Sequence, residues 1–135
     1  MDINTLTEQS LAKYFDHTFL KAYATRADFE KLCKEARELG TAMVAINSAQ
    51  VRLCKELLEG CDVHVGAAIS FPLGQTVLDI KVKETEQAIA DGADEIDYVI
   101  NIGEAKMGHW EYIEEEMRQI TEICRAHQVI SKVIL

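Results

Sequence analysis

Two residues in the C-terminal part of the chain could do chemistry together. Asp97 stands in the middle of the apolar segment "DEIDYVIN", where a carboxylate is expensive unless it is paired. Lys132 stands in a second apolar run, "SKVIL". If the two segments are adjacent parallel strands, both side chains fall at matching positions on one face, within reach of an ion pair or hydrogen bond. Such a pair can be a buried salt bridge of structural meaning only. It can also be a carboxylate–ammonium couple for proton transfer at a carbonyl, or an amine nucleophile tuned by its neighbours. Both readings stand at this level.

Other candidates carry weaker local signals. "DHT" (Asp16–Thr18) lies between two helical stretches and reads most simply as N-cap or turn chemistry, in a segment through Ala24 that is neither clean helix nor clean strand. Asn47 ends a strand-like run, a common place for a turn-forming asparagine. "FPLG" (Phe71–Gly74) carries the lone proline, Pro72, and reads as a loop after a strand. His64 opens a strand and is read as structural. The run Glu114–Glu116 is read as a solvated helix face. There is no Gly-rich nucleotide loop and no nucleophile elbow. The four cysteines (Cys33, Cys54, Cys61, Cys124) show no C-x-x-C spacing and are expected to be reduced core thiols. Neither they nor the scattered histidines suggest a metal site, and no cofactor is expected.

The elements that must position these residues alternate along the chain. A first helix is expected over 4–14 and a second from Thr25, an N-cap with Asp28 three residues on. The stripe Phe29, Leu32, Cys33, Ala36 and Leu39 belongs to that second helix, and Gly40 ends it. "TAMVAIN" (41–47) reads as a strand. Ser48 caps a short helix closed by Gly60, and "VHVGAAISF" is the next strand. A helix ends at Gly92, a third strand is "DEIDYVIN", and "IGEAKMGH" is a loop. A last helix shows Trp110, Ile113, Met117, Ile120 and Cys124 at three–four spacing, and "VISKVIL" is the fourth strand.

Strand–helix alternation implies a parallel α/β sheet with right-handed crossovers. Period-two sorting then separates two faces. One collects Val44, Ile46, Val65, Ala67, Ile69, Phe71, Ile96, Tyr98, Ile100, Val133 and Leu135. The other collects small and polar residues, among them Asn47, Gly66, Ala68, Ser70, Glu95, Asp97 and Lys132. A doubly wound sheet needs both faces apolar, whereas a barrel carries helices outside and a polar mouth inside. The pattern therefore predicts half of a (β/α)8 TIM barrel: four parallel strands, helices on the outer face, a single domain over 1–135 with N-terminal helices in 1–40. An open flavodoxin-like monomer is disfavoured by the polar inner face.

Composition limits the partners. The chain has 135 residues, 48% of them apolar, and a net charge of −9 from 23 acids against 14 bases. An acidic surface argues against nucleic acid or anionic membrane as the main partner. No apolar run reaches the ~20 residues of a membrane span. The N-terminus resembles neither a secretory signal nor a transit peptide, so the cytoplasm is the expected compartment.

Taken together, "FDHTFLKAYAT", "FPLG", "KETEQAIADGADEIDYVINIG" and "SKVIL" resemble the deoxyribose-phosphate aldolase family, in order and with similar spacing over nearly the whole chain. The resemblance implies a class I, Schiff-base aldolase on a (β/α)8 barrel. Such enzymes reversibly cleave 2-deoxy-D-ribose 5-phosphate to glyceraldehyde 3-phosphate and acetaldehyde without a metal. It assigns Asp97 as the proton-shuttling aspartate, Lys132 as an active-site lysine beside it, and Asp16, Thr18 and Asn47 as residues near the substrate. Around Asn47, Ala45 and Ser48 depart from the family's cysteine and proline. The family's Schiff-base lysine on strand six, its partner on strand seven and the phosphate loops lie beyond the half that is matched. The expectation is a half-barrel, inactive alone, whose stop in "SKVIL" is mid-barrel and whose open edges pair with another copy into an eight-stranded homodimer. The alternative is a lyase using Lys132 and Asp97 in a dimer or with a C-terminal partner chain, acting on a small phosphosugar or aldehyde.

Overall fold

A computed structural model describes residues 5–135. The elements run α1 (Glu8–Ala12), β1 (Asp16–Phe19), α2 (Arg26–Leu39), β2 (Met43–Asn47), α3 (Val51–Leu57), β3 (His64–Ile69), α4 (Leu78–Ala90), β4 (Glu95–Val99), α5 (Ile102–Lys106), α6 (Trp110–Ala126) and β5 (Ile130–Ile134). The strands form one sheet in the order β1-β2-β3-β4-β5, every neighbouring pair parallel.

Local chemistry sets the ends of the longest early helix. The Thr25 N–H donates to Asp28 Oδ2 at 2.7 Å, which satisfies a donor that the first turn leaves free. At the other end Gly40 takes a left-handed φ of 68° and its N–H bonds the Ala36 carbonyl.

The main core cluster lies on the helix-covered side of the sheet. Val44, Ile46, Val65, Ala67, Ile69, Ile96 and Tyr98 point outward and pack against Phe29, Leu32, Cys33 and Ala36 of α2, Val51 and Cys54 of α3, Ala88 of α4 and Ile120 and Cys124 of α6. Full burial of an aliphatic or aromatic side chain of this kind stabilises the fold by about 1.5–3 kcal/mol. The period-two sorting of these residues therefore holds. On the opposite face Ala45, Gly66, Ala68, Asp97 and Lys132 follow one another across β2–β5.

Five strands stand where the sequence predicts four. "DHTF" is a strand, paired Asp16↔Met43 through Phe19↔Ile46, and not a turn. Its turn-like signal is nonetheless real, because the Thr18 hydroxyl donates to the Asp16 carbonyl at 2.8 Å. Pairing with β2 outweighs that local preference, so the N-terminal segment supplies a strand as well as helices.

Other differences are smaller. The first helix is one short element with Thr7 as its N-cap; residue 4, where it was expected to begin, lies outside the described residues. Ser48 opens a 3-10 turn, and its hydroxyl donates to Glu84 in place of capping α3. "IGEAKMGH" contains α5, capped by the Asn101 side chain. Trp110 is 65% exposed and does not belong to the core stripe of α6. Glu114 is exposed as expected of a solvated face, but Glu116 is fully buried, which overturns that reading for this residue.

The sheet is strongly curved. Strands spaced ~4.8 Å apart would put β1 and β5 about 19 Å from each other in a flat sheet. Yet Lys132 on β5 reaches Asp16 on β1, Nζ to Oδ2 3.3 Å. Only an arc brings those side chains together across its concave face, as in a barrel wall. Among the described residues, no helix is long and apolar enough to cross a membrane.

Candidate active site

The concave face gathers one ammonium and three carboxylates. In the β4–β5 register Asp97 is opposite Lys132, as matching strand positions require. Lys132 Nζ lies 3.1 Å from Asp97 Oδ1, 3.0 Å from Glu95 Oε2 and 3.3 Å from Asp16 Oδ2. Its fourth neighbour is the Met43 Sδ at 3.4 Å. Met43 is guided there by Gly66, whose missing side chain leaves room for the thioether: a Cβ at Gly66 would fall 2.5 Å from Met43 Sδ.

The electrostatics of the cluster follow from its surplus of negative charge. Burial alone would push the Lys132 ammonium down, but the hydrogen bond to Glu95 and the charge of Asp97 overcome it and push the group up to about 12. Asp97 goes the other way from an ordinary paired carboxylate. Burial raises its pKa, Lys132 opposes that rise, and the nearby charges of Asp16 and Glu95 add to it. Asp97 Oδ1 faces the ammonium at ion-pair distance, but the direction is wrong for a hydrogen bond, and no donor among the described residues completes that atom.

A stability consequence can be measured. Because folding raises the Asp97 pKa, its contribution to stability is full below the ordinary carboxylate range and is lost as pH rises through the folded value. At neutral pH the charged form therefore costs stability. Asp97→Asn, which is neutral at every pH, is expected to raise the urea midpoint at pH 7 by the equivalent of about 0.5–2 kcal/mol. The gain should shrink as the wild type is titrated below the carboxylate range. A variant less stable than wild type at pH 7 contradicts the assignment.

Asp16, Asp97 and Lys132 thus come together. Thr18 is two residues beyond Asp16 along β1, with its hydroxyl turned to the Asp16 carbonyl. Asn47 ends β2 and makes no side-chain cap to the turn that follows. The strand register places it in the row that runs through Ala68 to Asp97 and Lys132.

Two residues of this face were not read as site residues from sequence: Glu95 was placed only in the polar row, and His64 was read as structural. Glu95 lies two residues before Asp97, the spacing that returns a strand residue to the same face. His64 Nδ1 lies 2.7 Å from Glu95 Oε1.

Behind the sheet, charged groups hold the strand ends. Lys81 on α4 and Glu116 on α6 are both fully buried and form a close ion pair. Lys81 Nζ also donates to the Val99 carbonyl at 2.6 Å and to the Gly74 carbonyl at 3.3 Å, while Glu116 Oε2 accepts the Asn101 N–H at 3.0 Å. Glu84 does the same for the neighbouring loops, accepting the Ser48 hydroxyl at 2.7 Å and the Ser70 N–H at 3.0 Å. A signal for the pair existed: Lys81 shares a face with Thr85 and Ala88, and Glu116 with Ile113, Ile120 and Cys124.

A curved, all-parallel sheet with helices outside and a lysine–carboxylate cluster inside defines one wall of a TIM-barrel-type α/β protein. Residues 10–134 match the family model described as DeoC/LacD family aldolase, and the chain belongs to that family. It is 50% identical over 133 residues to a deoxyribose-phosphate aldolase of Bacteroides thetaiotaomicron, covering 98% of this chain and 56% of that protein. It is 48% identical over 128 residues to the Lactobacillus acidophilus deoxyribose-phosphate aldolase, covering 95% and 54%. A Coccidioides immitis crystal structure assigned as a deoxyribose-phosphate aldolase superposes with a TM-score of 0.91 at 32% identity, over 96% of this chain and 51% of that one. The tetrameric deoxyribose phosphate aldolase of Aeropyrum pernix superposes at 0.86 with 27% identity, over 96% and 53%. The chain spans about half the length of the curated relatives it matches.

Proposed function

We propose that this chain is a deoxyribose-phosphate aldolase-type half-barrel that assembles but does not turn over by itself. The observation that carries this reading is the state of Lys132. A class I aldolase needs a neutral amine to attack the substrate carbonyl. Here Glu95, Asp97 and Asp16 surround the only amine of the cluster and hold it as an ammonium. Its role is then electrostatic: it balances Asp97, the proton-transfer group, while Asp16, Thr18 and Asn47 form the substrate-facing rim.

The assembly reading rests on β1 and β5 as the outer strands of the sheet among the described residues, and on the exposed Ile130 and Val133. Two chains bring ten strands, so an eight-stranded closure of two four-stranded halves no longer describes the dimer. The tetramer of the Aeropyrum pernix protein gives a precedent for self-association within the fold. The second reading, an active lyase, has Asp97 in its favour: a carboxyl of raised pKa beside an open concave face can exchange protons. It requires a neutral amine that the described residues do not place in the cluster.

The test combines acetaldehyde–borohydride trapping, a 2-deoxyribose 5-phosphate cleavage assay and sedimentation. No mass adduct, no cleavage and an oligomer are expected. An adduct on Lys132, or a folded monomer at micromolar concentration, overturns the corresponding half of the proposal.

A further inference from the structure

The lysine–carboxylate cluster has a second end that the aldolase reading leaves unused. Glu95 is shared between two nitrogen partners: Oε2 holds Lys132 at 3.0 Å and Oε1 meets His64 Nδ1 at 2.7 Å. A carboxylate oxygen at that distance needs a donor, so Nδ1 carries a proton and the open position is Nε2. His64 is about half exposed and lines a cleft of about 530 Å³ at the amino-terminal ends of β3–β5, with Lys55, Asp94, His127 and Ile130 around it. The contacts therefore run from bulk water through His64 and Glu95 to Lys132, and on to Asp97 and Asp16.

We propose that His64 is a positioning residue for Lys132, acting through Glu95, so that protonation of the imidazole from the cleft loosens Glu95 from the ammonium and shifts it toward Asp97 and Asp16. The physical reason is competition for one carboxylate. A neutral imidazole donates one hydrogen bond from Nδ1 to Oε1 and leaves the greater part of the negative charge to Lys132. An imidazolium takes part of that charge, and the attraction on Oε2 weakens.

The surroundings of both groups are compatible with this. His64 faces Glu95 from β4, and Asp62, in the loop before β3, is held by Lys13 at 3.0 Å. Across the cleft, Lys55 is already engaged by Asp94 at 2.6 Å, which leaves it a paired neighbour and not a free competitor. Lys132 faces Asp16 from β1, Met43 from β2 and Glu95 and Asp97 from β4. The inference concerns the cluster itself and does not depend on turnover.

The experiment follows the Lys132 side-chain methylene resonance, assigned by its proximity to the Met43 methyl, in lysine-labelled protein titrated by NMR. In the wild type it is expected to show an inflection that coincides with the titration of the His64 ring proton. His64→Leu should abolish that inflection. Glu95→Gln should also abolish it while His64 still titrates, because the relay is cut between them. Absence of the inflection in the wild type, or its survival in His64→Leu, overturns the proposal. If Glu95→Gln fails to fold, the His64→Leu arm decides alone, since a half-exposed side chain on the strand end can be replaced without opening the core.

Discussion

Lys81→Met is expected to destabilise the chain by about 3–5 kcal/mol, the usual result of breaking a fully buried ion pair by removing one partner. Domains of this size have roughly 5–15 kcal/mol in hand, so the variant should lose much of its stability. The cause is what the substitution leaves behind. Glu116 keeps a buried charge with no counter-ion, and the carbonyls of Val99 and Gly74 lose their donor. Lys81→Met with Glu116→Leu should recover most of the loss, because an apolar pair of similar volume carries no desolvation penalty. Recovery will not be complete, since the Asn101 N–H then lacks the Glu116 carboxylate. Urea denaturation of the two singles and the double gives the coupling energy directly. A Lys81→Met loss below about 1 kcal/mol would show that the pair is not the joint described here.

That joint is also where the sequence was hardest to read. A lysine in α4 and a glutamate in α6 look like ordinary solvated helix residues one by one. Their meaning comes from their positions on buried helical stripes and from each other, a relation 35 residues apart. The strand faces were easier, because period-two alternation is local: Val44, Ile46, Val65, Ala67, Ile96 and Tyr98 sort to the core side as read. Asp97 and Lys132 were legible for the same reason, one face and matching positions.

The failures share a cause. "DHTF" hides its strand because its residues alternate between exposed and half-buried in an edge strand of four, and polar residues with a real local hydrogen bond look like a turn. Glu95 was sorted to the polar face but not chosen beside Asp97, because which of two carboxylates on one strand matters depends on how far the sheet bends. That bend also brings Asp16 to Lys132, and no pattern within one strand encodes it. Trp110 misled in the opposite direction: its spacing fits the stripe, but it starts α6 beyond the edge of the core.

Gly74→Ala attacks the joint from the backbone, and its effect should differ in kind from that of Lys81→Met. Gly74 lies in the loop after β3 with φ 62°, and a Cβ there would fall 1.9 Å from the Ile100 carbonyl oxygen, a backbone atom that cannot swing aside. Ile100 is itself tied to β5 through its N–H to the Ile134 carbonyl, so yielding means disturbing the end of the β4–β5 pair. The expected cost is about 2–5 kcal/mol, overpacking added to an unfavourable left-handed backbone. Gly60→Ala separates the two contributions. Gly60 has φ 72° with nothing within 4 Å of its added Cβ, so it should lose only the backbone part, about 1 kcal/mol. The same urea experiment decides. Equal losses at the two glycines would mean that the loops after β3 and β4 are not in the close contact on which the Lys81–Glu116 joint depends. A much larger loss at Gly74, unrelieved by Glu116→Leu, places that contact in the backbone, with the buried charges holding together two loops whose shapes already fit.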